Sequence, residues 1–118
     1  MTASKTQAIA SLNDLCRSAM GEGGRIVQTS GINALSLEDQ LAIRQRVEKY
    51  EFTFDNDPYG ERNFGAFQHK GRKIFWKIDY YDNSLSQGSE DPSDPKQTTR
   101  VLTIMLASER DSDSGGAP

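Results

Sequence analysis

Apolar residues recur along this chain with two periods, and the change between them falls near residue 50. Before it the spacing is helical. Ile9, Leu12, Cys16 and Met20 stand three or four positions apart, and Leu15 and Ala19 widen the stripe. This spacing predicts a helix over 6–20, ended by Gly21, Gly23 and Gly24. Residues 25–29, RIVQT, form a short strand candidate closed by Ser30 and Gly31. Ser36-Leu37-Glu38-Asp39 reads as a second helix start. There Ser36 can cap free backbone N–H groups while Asp39 reaches back as the other arm of a capping box. That helix is expected to run to about Lys49, with Leu37, Leu41, Arg44 and Val47 on one side and Ile43 and Tyr50 near it.

After residue 50 the period becomes two. Glu51-Phe52-Thr53-Phe54 alternates, and Asp55 to Gly60 is turn chemistry throughout. Phe64–His69 and Arg72–Tyr81 read as two strands around Lys70-Gly71, a hairpin. In the second, Ile74, Trp76, Ile78 and Tyr80 share one face, and Phe75, Lys77, Asp79 and Tyr81 share the other. Residues 83–97 form a polar loop, a length that is often functional in a small domain. Val101 to Ala107 is an apolar run whose β-branched content favours a buried central strand, with a short helix as the alternative. Trp76, Ile78, Val101, Ile104 and Leu106 are the expected core. The fold class that follows is α+β: two N-terminal helices packed on one face of a mostly antiparallel sheet of four or five strands. It occupies one domain, residues 1–110, and the polar tail 111–118 is expected to be disordered.

A length of 118 residues suits a single domain. No apolar run approaches the roughly 18 residues of a membrane span. The start, MTASKTQAIASL, lacks the n-region and h-region of a secretory signal. A lone cysteine, Cys16, fits a reducing, cytoplasmic setting. One Cys and one His cannot supply the usual ligands of a structural zinc, and no cofactor is expected.

Net charge is −3, and the charges alternate in blocks. Residues 51–61 carry Glu51, Asp55, Asp57 and Glu61 without a cation. Residues 70–77 carry Lys70, Arg72, Lys73 and Lys77 without an acid, and residues 78–95 carry Asp79, Asp82, Glu90, Asp91 and Asp94 without a base.

Five segments carry a resemblance: NDPYG at 56–60, FGAF at 64–67, FWKIDYYD at 75–82, DPSDP at 91–95 and TRVLTIMLASE at 99–109. Together they resemble an uncharacterised bacterial family, common in alphaproteobacteria and often encoded on plasmids and integrating elements. The family brings no established activity. Its pattern after the Gly-Glu pair is His-Asp-Phe-Gly, where this chain has Arg62-Asn63-Phe64-Gly65, and its last aromatic is replaced by Arg110. The resemblance thus implies carriage on a mobile element and argues against an enzyme for this member.

The candidate chemistry divides three ways. Asp55, Asp57 and Glu61 on a turn, with Asp79 and Asp82 at a strand end, could converge as oxygen ligands for Mg²⁺ in a nuclease or phosphoesterase. The same residues before Pro and Gly are ordinary turn formers. Lys70, Arg72, Lys73 and Lys77, with Phe75 and Trp76 among them, could line a single-stranded nucleic-acid site, or be a solvated hairpin with Trp76 in the core. His69 is expected to sit exposed at the hairpin tip, and Cys16 to be buried and inert, so neither is expected to be catalytic. The third division is an acidic, aromatic face of Asp55, Asp57, Tyr59, Glu61, Tyr81, Asp82, Glu90, Asp91 and Asp94. Tyr-rich surfaces are favoured at protein interfaces. The expectation is a non-catalytic protein-binding module, an inhibitor of a host defence complex of the anti-CRISPR or antirestriction type. Its partner is then a protein, with direct nucleic-acid binding and membranes disfavoured.

Overall fold

A computed structural model of the chain describes residues 2–18 and 23–110. Met20, Ala19, Gly21 and the tail 111–118, all named in the expectations above, lie outside the described residues. Seven elements follow in order: α1 (Thr2–Arg17), β1 (Arg25–Gln28), α2 (Ser30–Asn33), α3 (Leu37–Glu48), β2 (Phe64–His69), β3 (Arg72–Tyr81) and β4 (Thr99–Leu106). The strands form one sheet in the order β1-β4-β3-β2. β2 and β3 are an antiparallel hairpin, β3 and β4 are antiparallel, and β1 lies parallel to β4.

Local chemistry explains the hairpin. Lys70 and Gly71 adopt φ of 51° and 83°, the left-handed pair that suits the twist of a two-residue turn. At α3, the Ser36 side chain accepts from Asp39 N–H at 3.1 Å, while Glu38 and Asp39 sit in the first turn and Arg46 in the last. Those charges oppose the helix dipole at each end. Among the described residues no bond runs from the Ser36 backbone N–H to the Asp39 carboxylate, the return arm of the expected capping box; that carboxylate meets His69 and Lys70 of the hairpin tip.

The core lies between the helices and one sheet face. Trp76 pairs with Ile104 and Ile78 with Leu102, all within 3% of full burial. Cys16 of α1, Ile32 of α2, and Ile43 and Val47 of α3 close over them. Each such aliphatic side chain contributes about 1.5–3 kcal/mol. Two expected core residues are corrected. Val101 and Leu106 are only half-buried, and Leu102 and Met105 are buried instead. The pairing sets the phase of Leu102 and Ile104, which lie opposite Ile78 and Trp76 and point at the helices, so Val101 points away. Leu106 shares the inner face opposite Ile74 at the strand's end, and Met105, opposite Phe75, is buried on the other face. Residues 101–106 are strand, and the chain turns helical at 107–110.

The inner face of α3 is also corrected. Ile43 and Val47 are buried, whereas Leu37 and Leu41 are 69% and 60% exposed. The short α2, unexpected from the sequence, occupies the volume ahead of α3 with Ile32. Glu109 anchors α2 from the far end of the chain. Its carboxylate accepts from Thr29 Oγ1 at 2.6 Å, Gly31 N at 2.8 Å and Leu106 N at 2.9 Å.

Candidate functional site

α1 turns polar side chains inward at helical spacing. Asn13 is fully buried and Arg17 is 6% exposed. Buried polar groups require partners, and those of Asn13 come from three distant segments. Its Nδ2 donates to the Tyr80 hydroxyl and to the Glu61 backbone oxygen, each at 2.9 Å. Its Oδ1 accepts from Arg100 Nε at 2.6 Å. The Tyr80 hydroxyl donates to Glu61 Oε1 at 2.7 Å. The Arg100 guanidinium lies 5.0 Å from the Tyr80 ring centroid and donates to Pro92 O at 2.5 Å. Burial, and then the Glu61 acceptor, push the Tyr80 phenol well above its usual range.

Arg17 fixes the other side of α1. It donates to Val47 O at 3.2 Å and Glu48 O at 3.1 Å, satisfying carbonyls at the end of α3. It also pairs with Asp14, which accepts from Arg62 at 2.5 Å. Its guanidinium sits 4.8 Å from the Phe52 ring and 5.6 Å from that of Trp76.

These bonds tie two loops to one end of the sheet, beside α1. The loop 50–63 is held by its own turn chemistry. Thr53 N donates to Asn56 Oδ1 at 2.7 Å, Asn56 Nδ2 to Glu51 O at 3.1 Å, and Arg62 N to Asp57 Oδ1 at 3.0 Å. This rigid loop leaves Phe54 85% and Tyr59 81% exposed. The loop 82–98 is locked similarly. Asp82 accepts from Ser84 Oγ and Ser86 N, Asp91 from Ser93 Oγ and N, and Asp94 from Lys96 N and Gln97 Nε2. The Ser84, Ser93 and Gln97 bonds respectively hold these three carboxyls below the usual range. Lys5 of α1 reaches Asp91 at 3.7 Å, and Thr6 lies beside Gly60, so the first turns of α1 stand between the loops.

The acidic set is therefore gathered at one end but used unequally. Glu61 is turned inward to Tyr80, and Asp57, Asp82, Asp91 and Asp94 fold their own loops. Asp55, Tyr59 and Glu90 are exposed, and Tyr81 is half-buried on the opposite sheet face to Tyr80. The carboxylates of the metal reading do not come together. Asp79 pairs with Lys77 at 3.2 Å, and among the described residues no group of three His, Cys, Asp or Glu is placed to hold a metal ion. Asn13 and Arg100 were not legible as site residues. The one signal was polar residues at core spacing on α1.

His69 requires a correction. Its side chain is 14% exposed, and Nε2 lies 3.0 Å from Asp39 Oδ1, which Lys70 Nζ also reaches at 2.9 Å. The start of α3 packs against the hairpin tip and covers it. The His69 bond, then those of Lys70 and Ser36, hold the Asp39 carboxyl well below its usual range. Cys16 is fully buried. Burial pushes its thiol up to about 11, against the pull of Arg100 and Arg17. Among the described residues no helix is long and apolar enough to cross a membrane.

No curated protein and no solved structure matches the chain. Residues 28–109 match a family described as "Protein of unknown function (DUF3768)". That span holds both loops, the hairpin and β4, and leaves α1 outside it. With more than half of its length inside the match, the chain belongs to the DUF3768 family.

Proposed function

We propose that this protein is a non-catalytic binding module that engages a basic surface of another protein through the acidic, aromatic end of its sheet. The observation that carries the reading is the exposure of Phe54 and Tyr59, 85% and 81%, on a loop held still by its own hydrogen bonds. A backbone tied by its own bonds has less freedom to lose when the aromatic side chains it carries make contact, and aromatic side chains have few rotatable bonds of their own to order. Asp55 stands beside them, with Glu90 exposed on the neighbouring loop. These two carboxylates, which form no ion pair among the described residues, would steer a cationic partner and fix its orientation.

The partner class rests on the resemblance to a family carried by plasmids and integrating elements. Such a setting favours an inhibitor of a cytoplasmic host defence complex, of the anti-CRISPR or antirestriction type. The test compares wild type with a Phe54→Ser, Tyr59→Ser, Asp55→Ser variant. Each is used to capture complexes from a lysate in which such defence systems are expressed, and each is assayed for relief of interference against an incoming plasmid. Wild type should retain a defence complex and relieve interference, and the variant should do neither at an unchanged Tm. Equal behaviour of the two proteins, or no relief by wild type, would remove this reading.

A further inference from the structure

The sheet face turned away from the helices differs in charge from the rest of the molecule. Cross-strand pairing places Phe64, Ala66 and Gln68 of β2, Lys73, Phe75, Lys77, Asp79 and Tyr81 of β3, and Arg25 and Val27 of β1 on it together. Arg110 joins them, its guanidinium 4.3 Å from the Phe75 ring centroid. Among the described residues the face thus carries four cations, Arg25, Lys73, Lys77 and Arg110, against one carboxylate, Asp79. The whole chain has a net charge of −3. The charge blocks that alternate in sequence are separated in space. The acidic loops gather at one end of the sheet, and the cations spread over its open face.

The apolar content of this face is accessible at the Phe64 end and covered at Met105, which pairs with Phe75 and is 2% exposed, at the end where Arg110 lies over the Phe75 ring. Phe64 is 39% exposed, and Phe75 and Tyr81 are half-buried. Phe64 pairs with Lys77 and Ala66 with Phe75, so the two phenyl rings are diagonal neighbours on adjacent strands. Such neighbours lie roughly 7–8 Å apart, within reach of successive bases of an extended strand. Trp76, expected from the sequence in the core and offered for the basic strip only as an alternative, points into the core and takes no part.

We infer that the open sheet face is a platform for single-stranded nucleic acid, with Phe64 and the Arg110 guanidinium that lies on the Phe75 ring as stacking surfaces and Arg25, Lys73, Lys77 and Arg110 as phosphate contacts. Rings on a flat sheet flanked by cations are the combination that single strands use. Every base offers a π-face, and every linkage carries a negative charge. An acidic protein segment would satisfy the cations but would leave the rings without a matching partner. This surface is distinct from the Phe54–Tyr59 loop, so the two assignments stand or fall separately.

The test is fluorescence anisotropy of the full chain with a labelled oligothymidylate of about 12 nucleotides, within the usual span of single-strand sites. Binding should be present at about 50 mM salt and fall with a log–log slope near −3, the value for four phosphate contacts on a single strand. Lys73→Gln with Lys77→Gln should roughly halve that slope. Phe64→Ala should weaken binding by about 5- to 150-fold, the range for one stacked base. Phe64 and both lysines lie outside the core, so Tm should hold. Asp55→Ser should leave oligonucleotide binding unchanged. No binding at low salt overturns the inference, as does binding that ignores all three substitutions. Equal affinity for duplex DNA, or for polyglutamate without dependence on Phe64, would assign the face to general charge attraction or to an acidic protein segment, and would also overturn it.

Discussion

Gly65 of β2 lies across the ladder from Trp76 of β3, and the Trp76 indole nitrogen fills the place of a Gly65 side chain. A Cβ at Gly65 would stand 2.7 Å from Trp76 Nε1 and 2.6 Å from Tyr50 Cζ. Tyr50 cannot withdraw freely, because its hydroxyl donates to Ala66 O at 3.2 Å and accepts from Ala66 N at 3.3 Å along the outer edge of β2. Gly65→Ala should therefore cost about 1–3 kcal/mol, the range for overpacked cores. Chemical denaturation measures it, and an unchanged midpoint would show that the rings move aside.

Ile104 is 1% exposed beside Trp76. Ile104→Ala should cost about 2–5 kcal/mol. A loss below about 0.5 kcal/mol would mean that β4 does not pack as described.

Cys16 should be inert in the native protein. With its thiol raised to about 11 by burial, the reactive thiolate at pH 8 is scarce, whereas an unfolded cysteine near 8.5 supplies it readily. Modification by an aromatic disulfide reagent should be at least about 100-fold slower before denaturation than after. Comparable rates would place the thiol at the surface.

Stability should fall on the acid side. The carboxyls of Asp39, Asp82, Asp91 and Asp94 are lowered by their hydrogen bonds. Burial works to raise that of Glu109, but the bonds from Thr29, Leu106 and Gly31 outweigh it and leave it lowered too. As pH drops, the unfolded chain takes up protons before the folded one does. The stabilisation is complete above the unfolded values, near pH 4, and is lost as pH falls through the folded ones. Tm should be level from pH 7 to about 5 and decline below about 4. A Tm that holds at pH 3 would contradict the loop bonding.

Much of the fold was legible because its signals are local. The ends of β2 and β3 follow from alternation on either side of Lys70-Gly71, a turn that needs only its own two residues. The inner face of α1 was not legible. Nothing local accounts for an inward Asn13, because the groups that satisfy it at Tyr80 and Arg100 lie 67 and 87 positions further on. α2 was hidden for a similar reason. Ser30-Gly31 is turn chemistry, and the carboxylate that ties it down is Glu109, 80 positions from Thr29. The acidic site shows both sides. Asp and Asn before Pro and Gly announced turns correctly, but which carboxylates would be consumed by those turns, and which left free, depended on serines and backbone donors that only the folded loops bring within reach.

The parallel seam between β1 and β4 governs the order of assembly. Arg25 lies beside Val101, so β1 can pair only once β4, from the far end of the chain, has come to it. The hairpin can close in about 1–10 μs. The seam must bring distant parts of the chain together, and such pairings are slow. Folding should therefore end with β1 zipping onto an already formed three-stranded sheet, and opening should begin there. In native-state hydrogen exchange the amides of Val27 and Thr29 should be released at lower free energy than those of Trp76 and Ile78. Equal protection would mean that all four strands form as one unit.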